Sequence, residues 1–288
     1  MQAAECTLVP VARAAALIEA GEARAVDCRF DPVGPDCDPS RGERDYATAH
    51  IPGAVYAHLD RDLADLSVRG VGRHPLPDAL AFSATLSRWG LSPTDQVVAY
   101  DDGNGAYAAR LWWMLRLVGH ARVAVLDGGF AAWRAAELPL ESATPTYRPT
   151  HYVARYDQGE IETSAGVRGK LASSAIALVD ARAAARFRGE NETIDPVTGH
   201  VPGARNRPFL DNLDTAGRFK APQDLRRELR AVIGERDPRE VVLMCGSGVT
   251  ACHNLLAMEH AGLPGARVYA GSWSEWITDP ARPVARGD

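Results

Sequence analysis

Four short blocks of sequence occur twice in this chain, in the same order and at nearly constant spacing, and this restricts the fold more than any compositional figure does. Ala25-Val26-Asp27-Cys28-Arg29 answers to Leu178-Val179-Asp180-Ala181-Arg182, 153 residues further on. His50-Ile51-Pro52-Gly53-Ala54 answers to His200-Val201-Pro202-Gly203-Ala204 at 150, and Val97-Val98-Ala99-Tyr100-Asp101 to Val241-Val242-Leu243-Met244-Cys245 at 144. Gly128-Gly129-Phe130 through Trp133 answers to Gly271-Ser272-Trp273 through Trp276 at 143. The chain is a tandem duplication, and 288 residues with 46% hydrophobic content suffice for two cores. The expected division is a first domain over 1–142, a Pro/Thr/Ser-rich connector over 143–160, and a second domain over 161–288.

Within each half, short β-branched runs alternate with amphipathic or alanine-rich segments. Strands are expected at Ala25–Asp27, Gln96–Tyr100 and Val123–Leu126, then at Ala175–Val179, Val241–Met244 and Arg267–Tyr269. Helices are expected at Val11–Ala20, Asp78–Trp89, Ala106–Val118, Gln223–Ile233 and Thr250–Ala261. This alternation predicts two α/β domains, each a mostly parallel sheet flanked by helices, with ligands beyond the carboxyl ends of the strands.

Cys245 falls at such an end. It closes an apolar strand and opens the turn Gly246-Ser247-Gly248-Val249-Thr250, after which helix-forming residues begin. Glycines at 246 and 248 let the backbone curl around Sγ, so loop amides and a helix N-terminus can favour a thiolate. The equivalent position in the first half is Asp101, which cannot do thiolate chemistry, so only the second half is expected to be catalytic. Gly103-Asn104-Gly105 occupies the counterpart loop and lacks the third glycine of a dinucleotide fingerprint. Cys252, seven residues past Cys245, is expected about two turns into the helix as a packing residue.

Other classes of function are excluded one by one. The five cysteines include no CxxC pair, which argues against a zinc site, a redox dithiol or a disulfide scaffold. A net charge of -5 argues against nucleic acid as a partner. No apolar run approaches a membrane span and Met1–Glu5 lacks a basic leader, so a cytoplasmic protein is expected. No metal, nucleotide or flavin is implied.

Taken together, the blocks resemble the two-domain rhodanese sulfurtransferases over nearly the whole chain. In that family an inactive N-terminal domain packs on an active C-terminal one, and an aspartate commonly replaces the first domain's cysteine. The resemblance implies a nucleophilic Cys245 that takes a sulfane sulfur from a small anionic donor as a persulfide and passes it to cyanide or to a thiol acceptor such as a reduced thiol protein. No cofactor beyond that persulfide is implied, and a monomer is expected. Thiosulfate-using members resemble a Cys-Arg-Lys-Gly-Val-Thr loop, whereas Cys245-Gly246-Ser247-Gly248-Val249-Thr250 is similar to the 3-mercaptopyruvate branch. Thiosulfate is a compact dianion that profits from cationic loop side chains, and mercaptopyruvate carries a single carboxylate.

The resemblance also implies roles for individual residues. Arg186 matches the arginine that binds the donor's anion, with Gly246, Ser247, Gly248, Val249 and Thr250 lining the same site. A second arginine stands about nine residues further on in mercaptopyruvate enzymes; here that place is Asp195, and compensation would fall to Arg188 or another basic group. Ser247 with His74 and Asp60 of the first domain match a proton relay. Arg29 and Arg182 belong to Asp-x-Arg elements, and His50 and His200 recur in both halves, so these are assigned to the fold. Trp112, Trp113, Trp133, Trp273 and Trp276 are assigned to packing. A cysteine-dependent phosphatase would need an arginine six residues after Cys245, where Ala251 stands. A thiosulfate enzyme proper and a protein-to-protein sulfur carrier remain as alternatives.

Overall fold

The computed structural model describes residues 5–31, 34 and 36–288. The first half runs β1 (Leu8–Val9), α1 (Val11–Glu19), β2 (Ala23–Asp27), α2 (Arg41–Thr48), β3 (Val55–Tyr56), α3 (Leu59–Asp62), α4 (Ala79–Arg88), β4 (Gln96–Tyr100), α5 (Ala108–Leu117), β5 (Val123–Leu126) and α6 (Gly129–Ala135). The second runs β6 (Ile161–Glu162), α7 (Ser164–Ala172), β7 (Ala177–Asp180), α8 (Ala184–Arg188), β8 (Arg205–Asn206), α9 (Pro222–Ile233), β9 (Val241–Met244), α10 (Thr250–His260), β10 (Arg267–Tyr269) and α11 (Ser272–Trp276). Single turns of 3-10 helix cover Gln158–Glu160, Phe209–Asn212 and Pro238–Glu240.

Each half builds a five-stranded parallel sheet, in the orders β1-β5-β4-β2-β3 and β6-β10-β9-β7-β8. These two orders are the same topology, so the sequence repeat is a structural repeat. The central strands are covered on both faces, which is why they read as continuous apolar runs. Their alternate residues divide between two cores. Val97 and Ala99 of β4 and Val241 and Leu243 of β9 join one core shared by both halves. Val98 and Tyr100 face a core private to the first half, and Val242 and Met244 one private to the second. Leu111, Met114 and Leu115 of α5 share the common core with Leu255, Leu256 and Met258 of α10, so these two helices lie at the seam. The fold thereby brings the loop after β9 against first-half residues.

The repeated motifs hold their own halves together. Arg29 grips both oxygens of Asp27 and reaches the Ala49 carbonyl at 2.7 Å; Arg182 does the same with Asp180 and the Gly199 carbonyl at 2.8 Å. His50 stacks on Tyr46, and His200 stacks on Phe187. Trp133 and Trp276 both donate through the indole N–H to a proline carbonyl, of Pro139 and Pro283 respectively. The chain between the sheets lies along the first half, where the Tyr152 and Ala154 amides donate to Ser87 and Ser83 and the Asp157 amide to the Leu117 carbonyl. No helix among the described residues is long and apolar enough to cross a membrane.

Candidate active site

Cys245 is the first residue past β9 and is 2% exposed. Its amide donates to Ser272 Oγ at 3.1 Å, and the Gly248 amide donates to its Sγ at 3.2 Å. Gly248 has φ +78°, and a Cβ there would meet the Ala270 carbonyl oxygen at 2.2 Å, so glycine alone closes this turn. The Gly248 carbonyl is turned to the opposite side, where it accepts from Arg110 Nη1 at 3.0 Å and from the Cys252 thiol at 3.2 Å. Cys252 therefore does more than pack. The helix begins only at Thr250, so the expected position two turns in is corrected to the first turn. Burial pushes the Cys252 thiol up to about 12, so it stays protonated as a donor.

Arg110 joins the site although no sequence motif marks it. It is fully buried in the apolar helix α5, and its guanidinium gathers three carbonyls: those of Gly248, of Leu63 at 3.2 Å and of His74 at 3.1 Å. The only hint in the sequence is a cation inside Ala-Ala-Arg-Leu-Trp-Trp-Met-Leu. It fastens the second half's catalytic loop to the first half's His74 segment. Buried charge is costly, so three charge-assisted bonds are the least that would keep it there.

His74 is brought to the loop as the resemblance implies. Its Nδ1 lies 2.7 Å from Ser247 Oγ, and its Nε2 lies 3.4 Å from Asp60 Oδ1. Burial holds the His74 pKa below its ordinary value, with Asp60 pulling the other way. The imidazole is therefore neutral near pH 7 and can exchange a proton with the Ser247 hydroxyl. Asp60 sits in the first turn of α3, whose cap is His58, and its carboxylate is half-buried.

Arg186 ends at the same cleft but is not a free cation. Its Nε reaches both oxygens of Glu192 at 3.1 and 3.0 Å, and its Nη2 reaches Asp195 at 2.9 Å. Burial pushes the Glu192 carboxyl up, but Arg186 and the amides of Ile194 and Asp195 outweigh it and hold it below its ordinary range. Arg188 points elsewhere: it pairs with Glu190 on the surface and does not compensate for Asp195. A different arginine does reach the place. Arg73, next to His74, forms an ion pair with the other oxygen of Asp195. Nothing in the Gly72-Arg73-His74-Pro75 sequence marks it, because its partner is 122 residues away.

The resulting cleft, about 250 Å³, is lined by Cys245, Gly246, Ser247, Val249, Thr250, Arg186 and Arg73, with Tyr107 and Phe209 as apolar walls. That volume suits a metabolite of a few heavy atoms better than a peptide or nucleotide. Among the described residues no group of three or more His, Cys, Asp or Glu side chains is placed to hold a metal. The site joins a buried thiol, a neutral imidazole coupled to a hydroxyl, and guanidinium groups for an anion.

Known proteins place this arrangement. The family model for the rhodanese-like domain matches twice, over residues 11–136 and 163–279. The chain is 48% identical over 283 residues to a probable 3-mercaptopyruvate sulfurtransferase of Pseudomonas aeruginosa, covering 98% of each. It is 38% identical over 293 residues to a putative thiosulfate sulfurtransferase of Mycobacterium tuberculosis, covering 100% of this chain and 99% of the relative. Among solved structures it is similar to 3-mercaptopyruvate sulfurtransferase from Leishmania major, with a TM-score of 0.84, 31% identity, and coverage of 96% of this chain and 75% of that one. The chain belongs to the rhodanese family and is a two-domain sulfurtransferase.

Proposed function

We propose that the protein takes sulfur from 3-mercaptopyruvate, holds it as a persulfide on Cys245 and delivers it to a thiol or to cyanide. The observation that carries this reading is the succession of Asp60, His74 and Ser247, spaced at 3.4 and 2.7 Å and ending beside Cys245. Thiosulfate needs no such succession, because sulfite leaves as a stable anion. Mercaptopyruvate does, because its leaving group is an enolate that must gain a proton.

In the first step the Cys245 thiolate attacks the donor's sulfur. The S–S bond forms, the C–S bond breaks, and its electron pair goes to carbon as the enolate of pyruvate. The donor's thiol proton is carried through Ser247 and His74 to that carbon, so a thiolate and mercaptopyruvate become a persulfide anion and pyruvate. The Gly248 amide and the α10 N-terminus stabilise the sulfur anion before and after transfer, with no reorganisation of the loop. In the second step an acceptor thiolate or cyanide attacks the outer sulfur and frees the Cys245 thiolate. The two halves of one chain complete the site, which fits a monomer, and the five free cysteines fit a reducing compartment such as the cytoplasm.

The test is thiocyanate formation from cyanide with each donor. Mercaptopyruvate is expected to give the higher kcat/KM. Ser247→Ala is expected to lower kcat with mercaptopyruvate by about 100-fold while changing thiosulfate turnover by less than about 3-fold. A higher kcat/KM for thiosulfate, or equal losses with both donors, would overturn the reading.

A further inference from the structure

The geometry points to Arg73, a first-domain residue, as the second anion-binding group of the site, supplied across the domain seam in place of an arginine at position 195. This deepens the donor reading and rests on it for the identity of the anion. Asp195 then acts as the spacer that holds two guanidinium groups side by side.

Three observations converge. Asp195, 8% exposed, bridges the two arginines, one oxygen to Arg186 Nη2 at 2.9 Å and the other to Arg73 Nη1. The remaining edges of both guanidiniums meet over the catalytic loop: a Cβ placed on Gly246 would lie 3.1 Å from Arg73 Nη2 and 3.7 Å from Arg186 Nη1. Gly246 is the residue after the nucleophile, so donors converging there face the carboxylate of a molecule whose sulfur is at Cys245. Lastly, the backbone that carries Arg73 is fixed to the same loop. Its amide donates to Ser274 Oγ at 2.9 Å, while the Ser274 amide donates to the Gly246 carbonyl at 2.8 Å. Gly72, with φ +102°, lets this segment close on Gly271, whose carbonyl oxygen would be 2.7 Å from any Cβ there. Arg73 Nε is buried and has no hydrogen-bond partner among the described residues, a donor left over in a polar cleft.

The charges decide which anion fits. Arg73, Arg182 and Arg186 are matched by Asp180, Glu192 and Asp195 through direct ion pairs. The cluster is electrically balanced before substrate arrives. It offers directed N–H donors without surplus charge, which suits a planar monoanionic carboxylate, whereas a dianion gains most from uncompensated cations. A Cβ at Gly246 would crowd Arg73 Nη2 at 3.1 Å, so glycine leaves this guanidinium its place over the loop.

The experiment compares alkylation of Cys245 by iodoacetate and by iodoacetamide, which differ in one carboxylate, and runs mercaptopyruvate kinetics alongside. Arg73→Gln is expected to lower the iodoacetate-to-iodoacetamide rate ratio by about 10-fold and to raise the KM for mercaptopyruvate by about 10-fold, with kcat within about 3-fold. Arg73→Lys, which can keep the Asp195 pair and so the local fold, is expected to recover part of the ratio. A ratio and KM within 2-fold of wild type in Arg73→Gln would overturn the inference, as would a ratio in Arg73→Lys no better than in Arg73→Gln. The ratio does not depend on the natural donor. If it falls while mercaptopyruvate proves not to be a donor, the role of Arg73 stands and the donor reading fails; if mercaptopyruvate turns over and the ratio is unmoved, the reverse holds.

Discussion

At the end of β4, Asp101 folds its carboxylate back into its own loop, where one oxygen accepts from the amides of Gly103 and Gly105 at 3.1 and 2.9 Å and the other from Tyr107 and Ala108 at 2.9 and 3.2 Å. At the end of β9, Cys245 stands at the equivalent place in a sheet of the same order, and its sulfur accepts from the Gly248 amide. Both loops run from strand to helix N-terminus, and both therefore point amide donors inward. The first, residues 101–107, is longer than the second, residues 245–249, and is closed by its own side chain. The anion cradle is thus a property of the fold, whereas catalysis depends on leaving it open to a nucleophile that can exchange its outer atom. In the first half the same cradle serves stability.

The largest expected effect comes from making the second loop resemble the first. Cys245→Asp should remove thiocyanate formation by at least about 1,000-fold and abolish persulfide formation, read by mass spectrometry of the intact chain, because a carboxylate fills the donors without offering a transferable sulfur. Residual turnover above that level would mean that another thiol carries sulfur. Opening the first loop is the converse. Burial raises the Asp101 pKa, four amides oppose it, and Asp101→Ala would leave those amides facing a void. A loss of about 3 kcal/mol or more is expected in urea unfolding, with Asp101→Asn intermediate because its amide has only one acceptor oxygen. A neutral Asp101→Ala would show that the first loop is not held by its aspartate.

What was legible in the sequence follows the same division between local and distant causes. Gln96–Tyr100, Val123–Leu126, Val241–Met244 and Arg267–Tyr269 are strands with the bounds expected, because each is a buried run between turn signals. The outer strands, from Leu8–Val9 to Arg205–Asn206, are two residues long and carry no period to read. Asp101 and Cys245 could be aligned because the repeat aligns them, and His74 and Asp60 because a family resemblance supplied the places. Arg110 and Arg73 escaped for a different reason. Their chemistry is defined by Gly248 and Asp195, 138 and 122 residues away, and no local pattern encodes such a partner. By position Asp195 stands where an arginine is expected, whereas in the fold its two oxygens hold Arg186 and Arg73.

The helices that leave the two loops offer the smallest and most specific test. The fourth residue of α5 is Leu111 and the fourth of α10 is His253, both fully buried. His253 crosses the seam: Nε2 lies 2.9 Å from the Asn104 carbonyl oxygen and therefore donates, which leaves Nδ1 to accept from Asn212 Nδ2 at 3.2 Å. A second ring proton would face Asn212 with donor against donor, and burial pulls the His253 pKa down to about 4 from an ordinary 6.5. The unfolded chain then binds a proton that the folded chain refuses between those two values, so stability is full above about pH 6.5 and falls as the pH drops toward 4. The share due to this residue is about 3 kcal/mol at pH 4. His253→Gln can keep a donor for Asn104 and an acceptor for Asn212. At pH 7.5 it should lie within about 1 kcal/mol of wild type, and it should flatten the fall in unfolding free energy between pH 6.5 and 4.5. An unchanged slope in His253→Gln would mean that the seam is not acid-sensitive at this residue.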